Sequence, residues 1–231
     1  NIENLTGSIM DDTLTGDAGA NVLEGGAGAD TLDGAAGTDT ASYSGSGVGV
    51  TVSLATGTGS GGDAQGDTLT GIENLTGSAF DDSLTGDANA NTLDGGAGLD
   101  TLIGGDGDDI LLWDSADTTI DGGTGTDTLR VDSGNVDLTT FGGTISGIER
   151  IDLEADAGTN SLTLSAADVI SMSDTDVLDV LGDAGDDIDA GTGWTDGGIA
   201  GGYHTYTQMV GPSLATLLVD TDMTVNADIL T

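Results

Sequence analysis

Aliphatic residues recur every nine positions through most of the first 140 residues of this chain. Leu5, Leu14, Leu23 and Leu32 form one series, and Leu75, Leu84, Leu93, Leu102, Leu111, Ile120 and Leu129 form another. An acid or amide lies at a fixed phase of the same repeat: Asp12, Asn21, Asp30 and Asp39, then Asp82, Asn91, Asp100, Asp109 and Asp127. Thr118 interrupts the second series. A nine-residue step is neither the 3.6-residue period of a helix nor the alternation of a long strand. Its glycine-rich first six residues suit a turn, and its last three, such as Thr101-Leu102-Ile103, suit a very short strand. Two such units make an 18-residue coil with strands in two stacked parallel sheets. The aliphatic side chain then points inward, and residues 18 apart lie above one another.

The two series are copies. Residues 2–34 and 72–104 are identical at 25 of 33 positions, offset by seventy. Four segments follow from the pattern: a repeat block over 1–43, a glycine-rich β spacer over 44–71, a second block over 72–140, and a β-rich end module over 141–231. The spacer contains VGVTVSL, which alternates like a strand, amid turn-forming sequence. In the end module SAADVISMS predicts one short helix with Ser165 as its N-cap. DVLDVLGD, YHTYTQMV and ATLLVDTDMTV alternate as strands. The chain opens on Asn1 inside a motif, so a longer protein is expected.

Composition narrows the partners. The sequence holds 36 Asp and five Glu against Arg130 and Arg150 alone, for a formal charge of −39. Such a charge repels nucleic acid and anionic membrane surfaces and leaves cations as natural partners. No apolar run reaches the ~20 residues that span a bilayer, so no membrane insertion is expected. There is no cysteine, hence neither a disulfide scaffold nor a thiolate metal site. Neither G-x-S-x-G nor H-E-x-x-H occurs, and no enzymatic activity is expected of this chain.

A glycine-rich coil of this kind is costly to order. Stacking its acids adds repulsion of about 4 kcal/mol for a close pair near a protein surface. A cation must offset it. Calcium fits, taking 6–8 oxygen ligands from carboxylates and backbone carbonyls in flexible geometry, whereas magnesium demands a tighter octahedron. Zinc is disfavoured by the missing cysteines and the single histidine. Asp17, Asp33, Asp106, Asp108 and Asp121 lie off the key position and read as surface.

GGAGADTLD (25–33), GGAGLDTLI (95–103), GGDGDDILL (104–112) and GGTGTDTLR (122–130) match the repeat GGxGxDxUx in full. In these the chain resembles the RTX, or repeats-in-toxin, calcium-binding proteins. The resemblance covers about residues 1–140 and implies an all-β fold: a right-handed parallel β-roll, a β-solenoid with several calcium ions between neighbouring coils. Carried over by position, the metal ligands would be Asp12 with Asp30, Asn21 with Asp39, Asp82 with Asp100, and Asn91, Asp109 and Asp127 on the other edge. Carbonyls of Gly25, Gly26, Gly28, Gly95, Gly96, Gly98, Gly104, Gly105, Gly107, Gly122, Gly123 and Gly125 would complete the shells. GSIMDDTLT, GSAFDDSLT and WDSADTTID lack most of the glycines, so sites bordering them are expected to be weak or empty, and Thr118 to break one edge of the stack.

The tail, through LTLSAADVISMSDTDVLDV, GDAGDDID, GWTDGG, YHTYTQ and ATLLVDTDMTV, resembles the carboxyl-terminal regions of very large bacterial adhesins and matrix proteins exported by type I secretion. That resemblance implies an extracellular structural protein that folds on calcium binding and self-associates into a fibre, lattice or biofilm matrix with other surface components. The alternative is the folding-assisting tail of a secreted protease, lipase or epimerase. His204 reads as a strand residue packing its ring, and Trp113 and Trp194 as core or end-cap residues. Residues 183–193 read either as one more calcium loop or as an acidic hairpin.

Overall fold

The computed structural model describes residues 3–132, 134–154, 159–225 and 229. The chain divides into two compact units, residues 1–125 and 126–231.

In the first unit the nine-residue period becomes strands of three to six residues that alternate between two sheets. Asn4–Ser8, Val22–Gly26, Thr40–Ser42, Asn74–Thr76, Thr92–Asp94 and Ile110–Leu112 are successive neighbours in one. Most pairs in the repeat blocks are parallel with a step of 18: Leu5 faces Leu23, Leu84 faces Leu102, and Leu102 faces Ile120. The aliphatic column is the core. Leu23, Leu32, Leu84, Leu93, Leu102, Leu111 and Ile120 have no exposed surface. An all-β parallel β-roll with 18-residue coils is therefore observed, as the period implies.

Turn glycines are required where the backbone takes positive φ and another coil lies against it. Gly96 has φ 84°, and a methyl group there would run into the Ser78 carbonyl oxygen of the coil before. In the turn GAAGTD the equivalent position is Ala35, held at φ 71°. A left-handed conformation costs a Cβ-bearing residue about 1–2 kcal/mol, partly offset by the greater chain entropy of glycine. Ala35→Gly should therefore stabilise the fold by roughly 0.5–1 kcal/mol, read as a higher urea midpoint in calcium.

The spacer departs from simple continuation. Thr51–Ser53 does strand through VGVTVSL, but Thr58–Ser60 pairs antiparallel with it and with Thr68–Thr70. Thr68–Thr70 then runs parallel to Thr31–Asp33, while Thr51–Ser53 runs parallel to Ser83–Thr85. The later strand thus completes the earlier coil, and the earlier strand meets the following block. In the other sheet Thr40–Ser42 pairs directly with Asn74–Thr76. Tyr43, Val50, Val52, Ala64 and Ile72 fill the interior here, so one aromatic and a mix of smaller and equal-sized apolar side chains replace the leucine column.

The second unit keeps parallel pairing without the nonapeptide. Leu129 faces Ile151, Ile151 faces Val180, and Val180 faces Val219. A parallel series runs through Val136, Leu162, Ile188 and Val225. The helix Ala166–Met172 forms where Ser165 caps it: the Ser165 side chain accepts from the Asp168 N–H, and the Asp168 carboxylate accepts in return from the Ser165 N–H. This reciprocal arrangement satisfies two otherwise free donors. Ser213–Asp220 continues into antiparallel pairing with Tyr203–Val210, which carries Thr195–Ala200 on its other side. Trp194 is buried, with its ring N–H donating 2.8 Å to the Ala190 carbonyl. His204 stacks on Tyr206 at 4.6 Å between ring centroids and contacts Asp196 at 2.7 Å. Both basic side chains lie in this unit, Arg130 against Asp132 and Arg150 against Asp179.

Candidate metal centres along the roll

The acid two positions before each core aliphatic sits at the end of its turn, immediately before the strand. Asn21, Asp30, Asp39, Asp82, Asn91, Asp100, Asp109 and Asp127 are all buried, and Asp12 is half-buried. Such burial of acids demands compensation. Part of it comes from the neighbouring coil. Asp30 accepts the Asp12 backbone N–H at 2.8 Å, Asp39 that of Asn21 at 2.7 Å, Asp100 that of Asp82 at 2.8 Å, and Asp109 that of Asn91 at 2.7 Å. Each predicted pair within residues 1–125 is thus brought together, one side chain against the other's backbone. Asp127, in the second unit, has its N–H bonded to Glu149 at 3.2 Å.

One carboxylate oxygen is used in this way and the other is not. The Oδ2 atoms of Asp30, Asp39 and Asp100 are fully buried and accept no hydrogen bond. Oδ2 of each lies over the first glycine of its own turn, Gly25, Gly34 and Gly95. Carbonyl oxygens converge on the same notches. A methyl group on Gly77 would stand 2.5 Å from both Asp82 Oδ2 and the Gly95 carbonyl oxygen. The Gly25 carbonyl likewise approaches Asp12, Gly104 approaches Asn91, and Gly122 approaches Asp109. Gly26, Gly96, Gly105 and Gly123 press against the carbonyl of the coil before, and Gly28, Gly98, Gly107 and Gly125 occupy extended positive-φ positions.

This donor set is all oxygen, and it includes buried carboxylate atoms with no proton donor. It fits a hard cation such as calcium, which accepts mixed carboxylate and carbonyl shells. No three acidic, histidine or cysteine side chains converge as a metal cluster among the described residues, so backbone carbonyls would have to fill most of each shell.

Electrostatics show the need for a counter-charge. Burial pushes Asp100 and Asp109 up to about 6, against backbone hydrogen bonds that lower them. Asp117 is pushed up to about 7, first by burial and further by the charges of Asp100 and Asp114. Desolvation penalises the charged form. Of the off-phase acids, Asp17, Asp106 and Asp108 are exposed, whereas Asp33 and Asp121 are half-buried.

The ladder has further members outside the regular nonapeptide positions. Asp67 is buried, accepts the Asp30 N–H at 2.8 Å and receives the Tyr43 hydroxyl at 3.1 Å. Its signal was Asp67-Thr68-Leu69, the same triplet as Asp30-Thr31-Leu32. Glu73 accepts the Asp39 N–H at 2.8 Å; like Glu149, it stands two positions before a core aliphatic. At Thr118, where one edge of the stack is expected to break, no carboxylate stands at the repeat position. Thr118 bonds the Asp100 carbonyl through its N–H and hydroxyl, at 2.8 and 2.9 Å, while Asp117, one residue earlier, supplies a buried carboxylate. In the loop 183–193, Asp186 accepts the N–H groups of Asn160 at 2.8 Å and Asp183 at 2.9 Å, and Asp187–Asp189 is a strand.

No curated protein matches the chain. Four stretches match the RTX calcium-binding nonapeptide repeat: residues 6–41, 67–102, 86–112 and 114–143. That family binds multiple calcium ions, and its repeats are structural rather than catalytic. No helix is long and apolar enough to cross a membrane among the described residues. With the 18-residue parallel coils and the buried acid ladder already described, these matches make the chain an RTX-type calcium-binding protein with a β-roll fold.

Proposed function

We propose that this chain is an extracellular structural module of a bacterial protein exported by type I secretion, folding when calcium fills its coils outside the cell. Buried, unpartnered carboxylate oxygens at Asp30, Asp39 and Asp100 support this reading. They leave the closed roll short of positive charge until a cation arrives. The metal ligands are those assigned by position, with Asp67 added. A chain of charge −39 in a low-calcium cytoplasm stays open enough to thread a secretion channel. Ions that bind only the folded form then drive folding outside.

The module serves an adhesin, surface layer or matrix fibre. The strand Thr195–Ala200 supports association: among the described residues it pairs only with Tyr203–Val210, and it is largely exposed, with Ile199 67% accessible. Such an edge is a template for another strand. Export in the unfolded form requires affinities of the extracellular class, roughly 10⁻⁴–10⁻³ M. Calorimetric titration should give a midpoint in that range, and electron microscopy of the loaded chain should show filaments or sheets. Nanomolar affinity would fold the chain before export and overturn the secretion reading. A loaded chain that stays monomeric at high concentration would overturn the assembly reading.

A further inference from the structure

The nonapeptide fails at WDSADTTID, where glycines are missing and Thr118 replaces the key acid. By sequence this turn is a gap in the calcium array. The structure places a carboxylate there from outside the register. Asp117 is 4% exposed, and its Oδ1 is fully buried without a hydrogen-bond partner. Its Oδ2 accepts the Asp114 N–H at 3.1 Å. The neighbouring coil presents Asp100, with no exposed surface and an equally unpartnered Oδ2. The two carboxylates repel one another, and Asp114 adds a third negative charge.

Backbone N–H groups of Asp114 and Asp100 lie by the Asp117 carboxylate, but this unit holds no basic residue, so the two buried acids have no counter-charge. Both arginines belong to residues 126–231. A buried anion without a partner is costly, and a pair of them more so. Thr118 shows how the turn is rearranged: its N–H and hydroxyl both engage the Asp100 carbonyl oxygen, which fastens the strand start and leaves Asp117 facing inward.

We propose that Asp117 and Asp100 form an out-of-register calcium site, completed by backbone carbonyls of the surrounding turns, so that the cation array continues across the repeat break. This rests on the calcium-loaded roll proposed above. It adds a site at a turn the nonapeptide pattern leaves empty.

Native mass spectrometry of the full chain in calcium tests it. Asp117→Ala, which leaves no side-chain oxygen at the site, should bind one calcium fewer than the unsubstituted chain while keeping its β spectrum. Thr118→Ala, at the position the repeat would use, should leave the number unchanged. An unaltered count in Asp117→Ala overturns the site. A second readout needs no substitution. Crystals of the unmodified chain grown in calcium and soaked with terbium should show an anomalous peak within ligand distance of Asp117 Oδ1. Peaks along the regular turns with none at Asp117 overturn this site alone. No ion anywhere on the chain overturns the calcium reading along with it.

Discussion

Gly98→Val should abolish folding at calcium concentrations that fully fold the unsubstituted chain. Gly98 has φ 146°, and a Cβ there would stand 2.7 Å from the Phe80 carbonyl carbon and oxygen and 3.0 Å from Asp100 Oδ1. Backbone cannot retreat as a flexible side chain can. A strained dihedral costs on the order of 1–3 kcal/mol, and overpacking adds about 1–3 kcal/mol. Together these consume much of the roughly 5–15 kcal/mol by which a domain is stable. The substitution also crowds the carboxylate that the account assigns to the metal. Circular dichroism against calcium should show a midpoint moved to much higher concentration, or no transition. Gly47→Val is the control, since no atom lies within 4 Å of its Cβ position and its φ is not positive. It should titrate like the parent.

Acid should partly replace calcium. In the calcium-free fold, burial raises Asp100 and Asp109 to about 6 and Asp117 to about 7, whereas an aspartate in an unfolded chain titrates near ~3.9. Between about pH 4 and pH 7 the folded form therefore binds more protons than the unfolded form, and its stability falls as pH rises through this window. A chelated sample taken from pH 7.5 to pH 5 should gain β signal as the buried acids neutralise. Calcium-loaded protein should respond in the opposite sense. Protons compete for the same oxygens, so calcium affinity should weaken below about pH 6. Asp117→Asn should diminish the acid-induced gain, because it removes the acid with the highest of the three values.

How much of this was visible beforehand depends on what carried the information. The register was legible because a single phase of the nonapeptide holds the aliphatic residue; Leu84 over Leu102 over Ile120 follows from counting. The buried acids were legible for the same reason. The strand exchange in the spacer was not. Its glycine-rich sequence permits many turns, and the choice is made by packing around Tyr43, Val52 and Ala64, which no local pattern encodes. Asp117 escaped because the repeat directs attention to position 118. In the second unit, register steps of 22 residues (128 to 150) and 29 residues (150 to 179) replace the regular 18. Insertions such as the capped helix at 166–172 lengthen those coils, and a period that changes from coil to coil leaves no ladder to count. Alternation there marked strands without showing that they pair in parallel.

The central claim is that a divalent cation supplies the counter-charge without which the coils cannot close. Small-angle scattering at pH 7.5, recorded in chelator and again in millimolar calcium with circular dichroism on the same samples, tests it most directly. The radius of gyration in chelator should be about 50 Å, the value for an unfolded chain of this length, and calcium should give a compact β-rich particle. A chelated chain that is already compact and β-rich would contradict it.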